Sequence, residues 1–346
     1  MTSGSPQLRR PFEIRQEDIS PPGGALSIAV LIPCYNEEAA IEQVVKDFRA
    51  ALPAARLYVY DNNSSDRTAE IAAAAGAIVR HEPHQGKGHV VRRMFADVEA
   101  DVYIMIDGDD TYDVSAAPAL VEHLVRDGLD MVNAARDETE ASAYRPGHKF
   151  GNVMLTGIVR AIFGDEFRDM LSGYRVFSRR FVKSFPMLAT GFEIETELTI
   201  HALELQMPTC EVATPFKERP PGSESKLNTI SDGIRILMTI SRLLRQERPM
   251  AVFAAAGAML AALALGLAYP IVVTFLETGL VPRFPTAILS TGLMLAAFLS
   301  FTCGLILDTV TRGRKEAKRV RYLAVPGVHA ALEAHEATWT EQNRQT

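Results

Sequence analysis

Through residues 27–134 the apolar positions repeat with two alternating periods. Ser27–Pro33 is a short apolar run closed by proline, the pattern of a strand buried on both faces. Glu37–Leu52 follows at helical spacing, with Ile41, Val44, Val45 and Phe48 on one face, and Leu57–Tyr60 reads as a second strand ending at Asp61. The alternation continues with a helix at Thr68–Ala75, a strand at Ala77–Val79, a helix at Val90–Val98, a strand at Val102–Ile106, a helix at Ala116–Val125 and a strand at Met131–Ala134. Repeated strand–helix units predict an α/β fold with a doubly wound, mostly parallel sheet, whose ligands lie beyond the carboxyl ends of the strands. Those ends are polar: Tyr35, Asn36 and Glu37 after the first strand, Asp61-Asn62-Asn63-Ser64-Ser65-Asp66 after the second, and Asp107-Gly108-Asp109-Asp110 after the fourth.

Beyond residue 226 the pattern changes. Leu227, Ile230, Ile234, Leu237 and Met238 share one helical face with Arg235, Arg242 and Arg245 elsewhere, which suits a helix lying on a membrane surface or packed against the preceding domain. Met250–Leu276 carries no charged side chain, and at ~1.5 Å per residue it exceeds the ~30 Å of a bilayer core. Thr286–Leu307 is just long enough by the same arithmetic, and the link between them (Glu277, Gly279, Pro282, Arg283, Pro285) is polar and rich in helix breakers. The pair predicts a C-terminal two-helix transmembrane hairpin, with Pro270 a tolerated kink site; two buried helices of a soluble core are the alternative. Arg242, Arg245 and Arg248 before the first span, and Arg312, Arg314, Lys315, Lys318, Arg319 and Arg321 after the second, predict that both ends face the cytosol. The chain thus divides into a disordered tail (1–24), a catalytic domain (25–226), an interfacial helix (227–248), the two spans (249–308) and a cytosolic tail (309–346).

Composition changes this picture little, since 47% hydrophobic and 23% charged residues is a globular average that hides a concentration of apolar residues toward the C-terminal end. The N-terminus lacks an apolar signal segment, so the large domain is expected in the cytosol, at the plasma or inner membrane if the source is bacterial. A net charge of −6 argues against nucleic acid as a partner, and three widely spaced cysteines (Cys34, Cys210, Cys303) support neither a disulfide framework nor a metal knuckle.

The chemistry gathers at the strand ends. Asp107 and Asp109, two residues apart after an apolar strand, suit a shared hard cation, Mg2+ or Mn2+, that neutralises a diphosphate leaving group. Asp61 is placed to accept hydrogen bonds from a nucleobase or ribose, while Asp66 reads equally as a site residue or a helix N-cap. Gly86-Lys87-Gly88 reads as a flexible loop carrying one cation. Glu193 and Glu195 open a helix, where acids also occur simply as a solvated first turn favoured by the helix dipole. A basic cluster, Arg136, Arg145, His148, Lys149 and Asn152, runs into the apolar stretch Phe150–Phe163, a pairing suited to a phosphate on a greasy tail.

Taken in order, Ile32-Pro33-Cys34-Tyr35-Asn36-Glu37-Glu38, Tyr60–Thr68, Gly86-Lys87-Gly88 and Asp107-Gly108-Asp109 resemble the family 2 glycosyltransferases with the Rossmann-like GT-A fold. Within that family the chain is similar to the polyprenyl-phosphate branch, that of the dolichol-phosphate mannose synthases, over about residues 27–245. The resemblance implies that Pro33, Tyr35, Glu37 and Asp61 hold the nucleoside, and that Asn62, Lys87, Asp107, Gly108 and Gly173 lie by the donor. It assigns the metal to Asp107 and Asp109. It implies that Arg219 and Lys226, in a mobile basic loop, close over the diphosphate, and that Arg136, His148, Lys149 and Asn152 contact lipid phosphate. Thr111 stands where the synthases often carry glutamine, which puts more of the metal's coordination on water or Asp107.

A phosphate monoester is already an anion near neutral pH, so the expected reaction is a single inverting displacement that moves one sugar from a UDP- or GDP-linked donor to polyprenyl phosphate, dolichyl or undecaprenyl. Asp107, Asp109, Arg219 and Lys226 are the expected catalytic residues. Another lipid or glycan acceptor, or a non-catalytic membrane scaffold, is the alternative. A processive polysaccharide synthase is disfavoured because Trp339, the single tryptophan, lies outside any Gln-x-x-Arg-Trp segment, and a nucleotidyltransferase because no glycine-rich loop follows the first strand. Donor sugar and oligomeric state, homo-oligomer included, stay open.

Overall fold

A computed structural model describes residues 26–136, 157, 167–187, 191, 193–217, 219 and 248–345. Its strands and helices alternate as β1 (Ile28–Cys34), α1 (Ile41–Ala51), β2 (Arg56–Asp61), α2 (Thr68–Ala74), β3 (Ile78–His81), α3 (Lys87–Asp97), β4 (Val102–Met105), α4 (Ala117–Arg126) and β5 (Met131–Arg136). Then come β6 (Arg175–Ser178), α5 (Arg179–Ser184), α6 (Ile194–Leu205) and β7 (Thr209–Thr214). The helices α7 (Pro249–Thr278), α8 (Phe284–Leu323) and α9 (Val328–Gln345) complete the described chain. The four residues expected on one face of α1 are those it buries: Ile41, Val44, Val45 and Phe48.

The seven strands lie in the order β3-β2-β1-β4-β6-β5-β7. Pairs β1–β2, β1–β4, β2–β3 and β5–β7 are parallel, whereas β6 runs antiparallel to both β4 and β5. The sheet is thus mostly parallel, with one reversed strand inserted between the fourth and fifth. That reversal has a functional consequence. Met105 registers with Arg175, so the loop entering β6 sits at the edge where the parallel strands end, beside Asp107.

Clustering of contacts separates two compact units, Met1–Thr229 with Lys318–Thr346, and Ile230–Ala317. In the second, α7 and α8 meet where glycines allow close approach: a Cβ on Gly257 would lie 3.1 Å from the Ala297 carbonyl oxygen, and one on Gly304 3.0 Å from the Phe253 Cβ. The Ser300 hydroxyl donates to the Phe253 carbonyl at 2.9 Å, and Gly279, at φ 72°, ends α7 in the left-handed region. Both helices are long and apolar enough to cross a membrane, and only 11% of each apolar window is buried. Helix α7 runs through Pro270, with the Thr274 hydroxyl donating to the Pro270 carbonyl at 2.8 Å. The expected interfacial helix 227–248 lies outside the described residues apart from Arg248.

The segment 309–346, expected as a tail, is largely helical and packs on the first unit from Lys318 onward. Helix α8 continues past its apolar run, and from Lys318 onward the chain belongs to the first unit. Lys318 pairs with Glu204 at 2.5 Å, the Tyr322 hydroxyl donates to Asp130 at 2.7 Å, and the Arg180 guanidinium lies 4.4 Å from the Tyr322 ring centroid. The Val328 side chain enters the main hydrophobic core. Asp130 in turn binds Ser178 and Arg180, so the tail closes the sheet end opposite the strand-end clusters.

Candidate active site

The first two loops are stitched together by their own side chains. Asn36, left-handed at φ 53°, donates its amide to the Ser64 hydroxyl at 2.9 Å, and its side-chain oxygen accepts from the Ser65 amide at 2.7 Å. The Glu37 amide donates to the Thr68 hydroxyl at 2.8 Å, and the Glu37 carbonyl accepts from the first residue of α1. These bonds fix Pro33, Tyr35 and buried Glu37 beside the end of β2, with the Tyr35 ring half exposed at the rim. Burial alone would raise the Asp66 carboxyl, but the Thr68 hydroxyl and amide and the Glu38 amide outweigh it and hold it below the usual range. That engagement ties Asp66 to Thr68, the first residue of α2, whose N-cap is Arg67.

Asp61 is buried, with Oδ2 near the Ser64 amide and His81 Nδ1, while Oδ1 has no hydrogen-bond partner among the described residues. A buried acceptor left open is costly unless a ligand fills it, which suits the expected contact to base or ribose. Asn62 also has a structural part. Its amide donates to the Glu82 and His84 carbonyls and its oxygen accepts from the Gly86 amide, so it braces the loop before α3.

Gly86-Lys87-Gly88 is not a flexible loop. Gly86, at φ 133°, is the turn that only glycine adopts readily, and Lys87 is the first residue of α3. The Lys87 side chain is 9% exposed and its ammonium lies between two carboxylates, Asp107 at 2.5 Å and Glu195. Burial would lower the Lys87 pKa, but Asp107 and Glu195 more than reverse this and hold it charged. Glu195 is likewise not part of a solvated first turn, for α6 buries it. Burial holds its carboxyl above the usual carboxylate range against the pull of the charged Lys87 ammonium, with which it is paired.

The Asp107–Asp109 segment follows β4. Gly108 is required by Cys34, whose Sγ would be 2.6 Å from an added Cβ. Gly173, carried in by the reversed strand, lies so close to the Asp107 carboxylate that a Cβ there would collide with it, and its amide donates to the Tyr112 hydroxyl at 2.8 Å. Asp109 is buried; Oδ1 accepts from the Thr111 hydroxyl at 2.6 Å and Oδ2 pairs with Arg219 at 2.7 Å. Thr111 therefore orients Asp109 by a hydrogen bond. Arg219 reaches it because Tyr112 bridges Phe216 and the Lys217 amide donates to the Thr111 carbonyl at 2.7 Å.

Arg136, at the end of β5, is held by Asp169 in a bidentate pair at 2.7 and 2.8 Å. Burial opposes ionisation of Asp169, but the Arg136 guanidinium prevails and keeps the carboxyl below its usual range. Glu211 on β7 accepts from the Arg168 and Asp169 amides and from the Asn133 side chain, fixing the segment that carries Asp169. The residues missed by sequence reasoning, Tyr112 and Glu211, act through partners far away in the chain; an acid within the strand Thr209–Thr214 was the only local signal for Glu211. Lys226, His148, Lys149 and Asn152 lie outside the described residues.

Asp107 and Asp109 fit a hard divalent cation of the kind that keeps several waters and takes one or two carboxylates plus substrate phosphates. Among the described residues no larger group of acidic, histidine or cysteine side chains is gathered to form an all-protein metal cage.

Residues 29–185 match the Glycosyl transferase family 2 profile. Glycosyltransferase AglJ of Haloferax volcanii is 34% identical over 248 residues, covering 70% of this chain and 80% of its own. The dolichyl-phosphate hexose transferase of the same organism is 29% identical over 222 residues, 64% of this chain and 95% of its own. Among solved structures, glucosyl-3-phosphoglycerate synthase from Mycobacterium tuberculosis, in complex with Mn2+, UDP-glucose and phosphoglyceric acid, shares the fold at a TM-score of 0.52 and 23% identity, covering 62% of this chain and 79% of that one. Motifs, sheet order and relatives agree: the chain belongs to glycosyl transferase family 2.

Proposed function

We propose that this chain transfers one sugar, with inversion, from a UDP- or GDP-linked donor to a polyprenyl phosphate at the cytoplasmic face of a membrane. The observation that carries the reading is the convergence of Asp107 and Asp109, each bound to its own cation, Lys87 and Arg219, at the edge where the parallel strands end. The likeness to a dolichyl-phosphate hexose transferase over nearly its full length supports the acceptor class. The apolar hairpin, read as two spans with basic flanks at Arg248 and at Arg312–Arg321, supports a multi-pass anchor with the catalytic unit in the cytosol.

Asp107 and Asp109 would hold Mg2+ or Mn2+, which when bound neutralises charge on the departing nucleoside diphosphate. Asp61 offers its open oxygen to the nucleoside, and the rim of Pro33, Tyr35 and Glu37 closes that side. Arg219, exposed at the rim, adds a guanidinium for the diphosphate, joined by Lys226. A phosphate oxygen of the acceptor attacks the sugar C1 as the bond from C1 to the diphosphate breaks, and since the nucleophile is already an anion no proton must be removed. Arg136, its guanidinium oriented by Asp169, adds positive charge for that phosphate, with His148, Lys149 and Asn152 on the following segment. Catalysis then reduces to alignment and charge stabilisation.

The test offers radiolabelled UDP-glucose, UDP-N-acetylglucosamine and GDP-mannose with undecaprenyl phosphate and Mn2+ or Mg2+ in detergent, beside Asp109→Ala. A metal-dependent, acid-labile glycolipid that the variant does not form is expected. Folded protein that transfers no sugar to the lipid with any donor would refute the acceptor.

A further inference from the structure

Glu195 sits at the start of α6, far from the strand-end motifs in sequence, yet it is buried and in contact with Lys87. Its position is built. Arg175, fully buried on β6, donates to the Thr199 hydroxyl at 2.8 Å, and that hydroxyl donates to the Glu195 carbonyl at 3.2 Å. The same guanidinium donates to the Ser172 and Met170 carbonyls, so one buried cation ties the first turn of α6 to the loop that sets Gly173 against Asp107. Burying Glu195 and Lys87 together is costly unless the pair has a use that a well-packed apolar pair would not serve.

We propose that Glu195 is a positioning residue of the donor site: it shares the Lys87 ammonium with Asp107 and so keeps Asp107 from being captured entirely by Lys87. This rests on the reading of Asp107 and Asp109 as the cation-binding pair. Lys87 Nζ meets Asp107 at Oδ1, leaving Oδ2 on the Gly173 side. With Glu195 ionised, the ammonium is divided between two carboxylates, and Asp107 retains negative charge to offer a divalent ion. With Glu195 neutralised, Lys87 pairs with Asp107 alone, and an incoming cation must displace it.

The expected signature is in cation affinity. Glu195→Gln preserves shape and one acceptor oxygen, and should weaken Mn2+ binding, read by the electron paramagnetic resonance of free Mn2+ with UDP or GDP present, by about tenfold or more, the size of a ~1.4 kcal/mol effect. Lys87→Met relieves the competition, and in that background Glu195→Gln should change Mn2+ affinity by less than about twofold, because non-additivity is what direct coupling produces. A melting temperature for each variant identifies folded protein. Should Glu195→Gln not fold, Lys87→Met is compared with Lys87→Met/Glu195→Met, where a further loss of Mn2+ affinity overturns the proposal and equal affinity supports it. Lost turnover at unchanged Mn2+ affinity in Glu195→Gln would place Glu195 on the substrate instead and overturn the positioning role. Wild-type protein that binds no Mn2+ with either nucleotide would remove the donor-site reading itself, and this proposal with it.

Discussion

Gly173→Ala is a one-methyl change whose effect follows from the Asp107 geometry. The added Cβ would fall inside contact distance of all three terminal atoms of the Asp107 carboxylate. That carboxylate is not a loose side-chain end, since Lys87 holds Oδ1 at 2.5 Å, and the Gly173 amide is itself held by Tyr112 at 2.8 Å. No positive φ is required at residue 173, so alanine is not strained by the backbone; the strain is local overpacking, worth ~1–3 kcal/mol. In a unit of this size that lowers the melting temperature by roughly 2–4 °C per kcal/mol. Relief comes from moving Asp107 or the loop before β6, and a displacement of about 1 Å in a reacting array costs on the order of 10²-fold in rate. Turnover should therefore fall far more than stability does. The assay is Mn2+-dependent sugar transfer beside a thermal melt, with Gly266→Ala on α7, where a Cβ meets nothing within 4 Å, as the control. Wild-type turnover and Mn2+ response in Gly173→Ala would show that Asp107 is not confined as described.

Two further outcomes concern the frame around the site. Asp169 has its carboxyl pKa depressed, so its stabilisation is fully present above the unfolded value of about 3.9 and is lost as pH falls through the lower folded value. Asp169→Asn should cost ~3 kcal/mol at pH 7 in denaturant unfolding by leaving Arg136 without its carboxylate, with the gap to wild type closing only below about pH 4; a gap that is constant to pH 2 would contradict the pairing. Val328→Ala should destabilise the catalytic unit by ~2 kcal/mol although Val328 lies beyond the apolar hairpin in sequence, and an unchanged melt would show that the tail does not complete the core.

Much of the site was legible because parallel strand–helix alternation sends strand-end residues to one edge: Asp61, Asp107 and Asp109 could be placed there from local patterns alone. The direction of β6 was not legible, for Arg175-Val176-Phe177-Ser178 is four residues long and buried on both faces, with nothing local to mark its reversal. Its reversal is what brings Gly173 to Asp107. Glu195 reads from sequence like any acid in a first helical turn, since its burial is set by Lys87, about a hundred residues earlier in the chain. The same holds for Arg136, whose basic character suggested a phosphate ligand and whose partner Asp169 is a long-range contact. Helix α9 looks like a polar end because it docks through a few residues, with Val328 in the core and Ala331 and Leu332 packed against it.

The most direct measurement is the linkage and configuration of the product. Protein in detergent with Mn2+ is given whichever labelled nucleotide sugar it consumes, with undecaprenyl phosphate or undecaprenol as acceptor, and the lipid product is examined by ³¹P and ¹H NMR. A sugar phosphodiester formed only from the lipid phosphate, with its anomeric configuration opposite to that of the donor, is the expected result. Transfer to undecaprenol at a similar rate, or a product retaining the donor's configuration, would contradict direct attack by the lipid phosphate.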